Sequence, residues 1–122
     1  MGMYRLEFKA NIITASKNTR DNYYMVGLAD DKYHYTNYVL FQRPVVLSAD
    51  DNCEADANGL YAECNGEVEY NTCRAVCLTN KAFVLETIDS IITVNLQDVE
   101  LTPRFIEYCK AVFKELLSIN LQ

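Results

Sequence analysis

Few side chains in this chain could do chemistry. His34 is the only histidine, and the five cysteines stand at positions 53, 64, 73, 77 and 109. His34 lies in Tyr33-His34-Tyr35, close in sequence to Asp30 and Asp31, so a carboxylate-oriented general base can be drawn there. The plainer reading is an exposed loop histidine. A zinc site needs more imidazoles, or cysteines that converge. No cysteine pair has C-x-x-C spacing, and on a strand Cys73 and Cys77 would share a face but stand ~13 Å apart at ~3.3 Å per residue. The thiols read as free and mostly buried, as in a reducing compartment.

The other chemical signatures are missing. Ser16, Ser48, Ser90 and Ser118 lie in no G-x-S-x-G elbow, and one histidine supports few triads. The four glycines form neither a P-loop nor a dinucleotide-binding pattern. Glu63, Glu67 and Glu69 are close in sequence and could be paired carboxylates. As odd-numbered positions of one hairpin they are expected to share a solvated face. No catalytic residue, metal ligand or cofactor is therefore expected, and the chain reads as a non-enzyme.

Composition sets the frame for these residues. At 122 residues, 50% hydrophobic and 23% charged, residues 1–122 form one domain with a core of its own. The formal net charge of −6 argues against nucleic acid as a ligand and favours a basic partner. No window approaches the ~18 apolar residues of a membrane span. The start, MGMYRLEFKANI, lacks the layout of a signal peptide, and Leu6 breaks the myristoylation motif after Gly2. A soluble cytoplasmic protein is expected, with no membrane partner.

The elements are organised around Leu60–Thr87, which reads as two successive hairpins at the centre of a sheet. Asn65-Gly66, between alternating LYAEC and EVEY, is a strong two-residue turn signal. Asn80-Lys81 is a weaker one, with Asn tolerating the left-handed position. Val68, Tyr70, Val76 and Leu78 are expected on one face, with Thr72 and Arg74 breaking the series. Before them, Tyr4 to Ile12 alternates as one half-buried strand, Ser16 to Asn22 is a polar loop, and Tyr23 to Ala29 is apolar on both faces. Tyr38 to Gln42 is a third strand, limited by Pro44.

Ile91 to Gln97 alternates again, and then the period changes. Thr102-Pro103 predicts a helix start, with Leu101 and Ile106 placed for a hydrophobic staple. Phe105, Cys109, Val112, Phe113 and Leu116 form an apolar stripe. The expected fold is α+β: an antiparallel meander sheet of about six to seven strands with one C-terminal amphipathic helix packed on a face.

Two surfaces exceed what folding needs. The loop from Ser48 to Gly59 carries Asp50, Asp51, Glu54 and Asp56 and no base. It is either a solvated loop or a mimic of nucleic-acid phosphates that faces a basic active site. Tyr33, Tyr35 and Tyr38 stand beside Asp30 and Asp31, and tyrosines are enriched among interface hot spots. Asp30, Asp31, Tyr33, Tyr35, Asp50, Asp51, Glu54 and Asp56 are the candidate partner-binding residues.

Asn37-Tyr38-Val39-Leu40-Phe41-Gln42-Arg43 and Leu60-Tyr61-Ala62-Glu63-Cys64-Asn65-Gly66, followed by an apolar hairpin and a closing helix, resemble the immunity protein 10 family of bacterial polymorphic toxin systems. The specific parts are N-Y-x-L-x-Q-R and Y-x-E-x-N-G. Where relatives place a glycine-rich break after the aromatic of the second strand, this chain has Asn71-Thr72-Cys73. The resemblance implies a cytoplasmic antidote that binds and neutralises a cognate toxin domain, with no catalytic residues. The rival is a small acidic adapter or secretion-chaperone module that binds unfolded segments. A thiol or metal protein using Cys53, Cys64, Cys73 and Cys77 is a third reading.

Overall fold

The computed structural model describes residues 4–34, 36–45 and 59–121. They form β1 (Tyr4–Lys9), β2 (Ile12–Asn18), β3 (Tyr23–Ala29), β4 (Tyr38–Arg43), β5 (Tyr61–Cys64), β6 (Glu67–Tyr70), β7 (Cys73–Thr79), β8 (Ala82–Thr87), β9 (Ser90–Asn95), α1 (Pro103–Phe113) and β10 (Leu117–Asn120). Strands β2 to β6 pair in sequence order as an antiparallel meander. The others form a mixed sheet in the order β1-β9-β8-β7-β10. The α+β layout, with a meander and a C-terminal helix laid against it, is as the sequence predicts. The strands are more numerous, ten among the described residues, and they divide between two sheets.

The division happens at two crossings that the hydrophobic pattern does not mark. β1 runs parallel to β9, and the chain leaves it at Ala10, whose amide donates to the Asn95 carbonyl at 2.9 Å. One residue later the Asn11 amide donates to Ala29 in the other sheet, also at 2.9 Å. Ala10 is fully buried, so the expected single strand from Tyr4 to Ile12 changes sheet without breaking its alternation. β2 then extends to Asn18, into the expected Ser16–Asn22 loop.

The second crossing is at Asn71-Thr72. Asn71 has φ 60°, the left-handed conformation that glycine otherwise supplies. Its Oδ1 accepts the Leu60 amide at 2.9 Å and its own amide donates to the Leu60 carbonyl at 2.9 Å. Asparagine thus makes the bend without a glycine. The Leu60–Thr87 stretch is consequently not one sheet centre: its first hairpin closes the meander, with β6 at the edge, and its second lies inside the mixed sheet.

The first turn forms as expected, with Asn65 at φ 50° and Gly66 at φ 93°. A two-residue turn pairs odd with even positions, so Glu63 opposes Val68 and Cys64 opposes Glu67. Glu63 therefore lies on the opposite face from Glu67 and Glu69, against the expectation of one shared face. For the same reason Val68 and Tyr70 do not join Val76 and Leu78 in the core; they are 48% and 45% exposed. The Asn80-Lys81 turn closes without a left-handed Asn80: Thr79 Oγ1 accepts the amides of Lys81 and Ala82 at 3.2 and 3.1 Å. Arg74 sits at a register shift in β7 and is exposed, so it does not interrupt an apolar face.

The core lies between the sheets and under α1. Phe41 of the meander, Phe83 of the mixed sheet and Phe113 of the helix meet with ring centroids 5.0 to 5.8 Å apart, and none is more than 1% exposed. Each such ring pair contributes about 0.5–1.5 kcal/mol beyond its burial. Thr102 Oγ1 caps the helix by accepting the Phe105 amide at 3.1 Å, ahead of Pro103. Leu101 and Ile106, the staple pair, are half-buried against the core. The helix packs on β2, β3 and β4 and ends at Lys114, φ 52°. β10 then pairs parallel with β7, an addition the continuous apolar stripe conceals.

Candidate functional site

Pairing in the meander decides which side chains face outward. Register places Ile12 beside Ala29 and Tyr38, Thr14 beside Gly27, Leu40 and Glu63, and Met25 beside Gln42 and Tyr61. The alternate set, including Val26, Leu28, Val39 and Phe41, faces the core. The outer set forms a cleft of about 240 Å³ bounded by Ile12, Thr14, Gly27, Tyr38, Leu40 and Glu63. Gly27 keeps its floor low: a Cβ there would lie 2.9 Å from Thr14 Oγ1 and 3.3 Å from Leu40 Cδ1.

A second depression of about 180 Å³ lies one step along the same strands, bounded by Tyr23, Gln42, Tyr61 and Tyr70 and, at its outer end, by Asp21 and Arg43. Gln42 and Tyr61 continue the columns of Leu40 and Glu63, so the two clefts follow one another along the outer face and are together called the trough.

Glu63 stands in the middle of this trough. Its Oε2 accepts the Tyr38 hydroxyl and its Oε1 accepts the Tyr61 hydroxyl, and the Tyr61 ring meets Tyr70 edge-on at 5.4 Å. Tyr38 and Tyr61 both hold the Glu63 carboxyl below its usual range. The same contact pushes the Tyr61 hydroxyl up to about 12. The group is a half-buried, oriented carboxylate that stays charged at neutral pH.

The β3–β4 loop connects Ala29 and Tyr38, which line one end of the trough. Asp30 Oδ1 accepts the Thr36 amide at 2.9 Å and its Oδ2 accepts the Asn37 amide at 3.0 Å. Asp31 Oδ1 accepts the amides of Tyr33 and His34, both at 2.9 Å, which lowers its pKa. Both candidate acids thus shape the loop through backbone amides. Tyr33 is 76% exposed, with Lys32 Nζ over its ring, and His34 is exposed. Tyr35, Asp50, Asp51, Glu54, Asp56 and Cys53 lie outside the described residues.

Asn37 ties this loop to the first hairpin. Asn65 Nδ2 donates to Asn37 Oδ1 at 3.1 Å, and Asn65 Oδ1 accepts the Tyr38 amide at 2.8 Å. The two sequence segments that resemble a known family therefore lie on adjacent strands. Their side chains Asn37, Tyr38, Leu40, Gln42, Tyr61, Glu63 and Asn65 form one connected surface. Arg43, at the end of the first segment, turns inward and donates through Nε to the Val112 carbonyl near the helix end.

Residues 9–102 match the family described as Immunity protein 10. The chain belongs to the Immunity protein 10 family. No curated protein matches it. The matched segment contains the whole trough and ends at the helix cap Thr102, so α1 and β10 follow it.

In this Immunity protein 10 chain the described cysteines line neither cleft of the trough. Burial pushes Cys109 up to about 12 and Cys73 up to about 11, and it raises Cys64. Cys77 is exposed. Among the described residues no group of three or more His, Cys, Asp or Glu could hold a metal. The trough itself escaped the sequence reading, although Tyr23–Ala29 being apolar on both faces was a usable signal.

Proposed function

We propose that this chain is a cytoplasmic bacterial immunity protein that neutralises the toxin domain of a polymorphic toxin system by binding it. The observation that carries the reading is the meeting of the two family-like segments on one exposed, concave sheet face, in a member of the Immunity protein 10 family. Immunity proteins act by contact, and a rigid sheet face rich in tyrosine offers area at low entropic cost. No helix among the described residues is long and apolar enough to cross a membrane, which is compatible with a cytoplasmic site of action.

The chain's net charge of −6 suits a basic toxin domain, by steering and by complementarity. Asp30, Asp31 and Tyr33, on the loop that follows β3, would form part of the rim of the contact, and Tyr35, Asp50, Asp51, Glu54 and Asp56 are proposed as further partner-binding residues. Co-expression with the toxin encoded by the neighbouring gene tests the function. Restored growth and a co-purifying complex are expected. No rescue and no complex would sink the proposal, and capture of unfolded segments alone would indicate a chaperone.

A further inference from the structure

The two outer sheet faces of this molecule differ in a way that folding does not require. On the mixed sheet the outward strand positions carry charges of both signs, Arg5, Glu7, Lys9 and Glu86, beside Ile91, Val84 and Cys77. On the meander the outward strand positions carry tyrosines, Leu40, Met25, Ile12 and Val68 with the neutral polar Thr14, Ser16, Asn18 and Gln42, and Glu63 is the one charged residue among them. The face is also hollow, with clefts of about 240 and 180 Å³. A hollow sheet face whose strand positions are uncharged around one fixed carboxylate is suited to receive a group of opposite charge.

We propose that Glu63 is the receptor for an arginine side chain on the toxin, whose surrounding convex surface fills the trough over Gly27. This rests on the immunity function proposed above and names the surface that performs it. A carboxylate has about four acceptor positions, and the Tyr38 and Tyr61 hydroxyls take two. The rest are available to an incoming donor. Two phenol rings flank the carboxylate, so a flat, weakly hydrated guanidinium gains ring contact and charge-assisted hydrogen bonds together, where an ammonium gains mainly charge. The net charge of −6 and the Asp30 and Asp31 carboxylates at the trough's end supply long-range complementarity.

Calorimetric titration with the catalytically inactivated cognate toxin domain tests this. Glu63→Gln keeps an acceptor for a phenol but removes the charge, and affinity should fall at least ~10-fold. Thr14→Arg, at an exposed position on the trough wall, should abolish binding while the melting temperature holds. Ile88→Arg, exposed at the β8–β9 turn, should bind like the native chain. Replacing the docked toxin arginine with alanine should reproduce the Glu63→Gln loss without adding to it. If the native chain forms no complex, the immunity function fails and the inference with it. If the native chain binds and Thr14→Arg binds equally well, the docking face alone is wrong. If Thr14→Arg abolishes binding but Glu63→Gln is neutral, the arginine receptor is wrong.

Discussion

The Tyr38 hydroxyl donates to Glu63 across two neighbouring strands, from a residue 25 positions earlier in the chain. With Tyr61 on the other carboxylate oxygen, this contact joins β4 to β5 on the outer face of the meander. It fixes a charge where the other outward strand positions are uncharged.

The pairing has a titration signature. Tyr61 is pushed up to about 12 because its proton bonds the Glu63 carboxylate, so its stabilising contribution is complete below the ordinary tyrosine range and fades as pH rises through about 12. Glu63 is shifted the other way, so its contribution is present above the ordinary carboxylate range and lost on acidification through its lowered pKa. Ultraviolet titration of tyrosine ionisation should show a late-ionising group that moves back toward pH 10 in Glu63→Gln. No movement would remove the Tyr61–Glu63 bond from the account.

The three-phenylalanine contact should dominate stability. Phe113→Ala or Phe41→Ala should each cost about 3–5 kcal/mol in denaturant melts, since each removes a ring shared by both sheets and the helix. The double substitution should cost less than their sum, because one cavity serves both.

Local devices should show smaller, type-specific effects. Thr102→Ala should cost about 1 kcal/mol and Thr102→Ser little, because only the hydroxyl that accepts the Phe105 amide matters. At the sheet crossing, Asn71→Gly and Asn71→Ala both lose the bond to the Leu60 amide, but only alanine must also enter φ 60°. Alanine should be the worse of the two by about 1 kcal/mol. Equal losses would show that backbone strain does not govern the bend.

Among the described cysteines, Cys77 should react first with thiol reagents in the native protein. Buried Cys109, its thiol pushed up to about 12, should react at the unfolding-limited rate, and half-buried Cys73, pushed up to about 11, should react more slowly than Cys77. Mass spectrometry of partly labelled protein gives the order directly.

The acidic loop makes a kinetic prediction. Changing Asp50, Asp51, Glu54 and Asp56 to Lys should slow association with the toxin and flatten its dependence on salt, with dissociation little altered. Stopped-flow kinetics that match the native chain would exonerate the loop.

The sequence discloses what is local. Thr102-Pro103 announces the helix and Asn65-Gly66 the turn, because each is set by the few residues that make it. The parallel pairing of β1 with β9 joins segments far apart in the chain and leaves no local mark. Ala10 is apolar and inward in either sheet, so alternation runs through a crossing unaltered. The outer trough was obscured for a related reason. Leu40, Met25 and Ile12 look like core residues one at a time, and only the register reveals that they line the uncovered side. The acids were conspicuous by type, yet Asp30 and Asp31 are engaged with backbone amides of their own loop.

Hydroxyl-radical footprinting of the chain, free and bound to its toxin, tests most directly that the meander's outer face does the binding. The account predicts protection of Met25, Leu40, Tyr61 and Tyr70, with Tyr4 and Ile88 on the mixed sheet unchanged. Protection confined to the mixed sheet or to Tyr33, with Leu40 and Tyr61 as reactive as in the free chain, would contradict it.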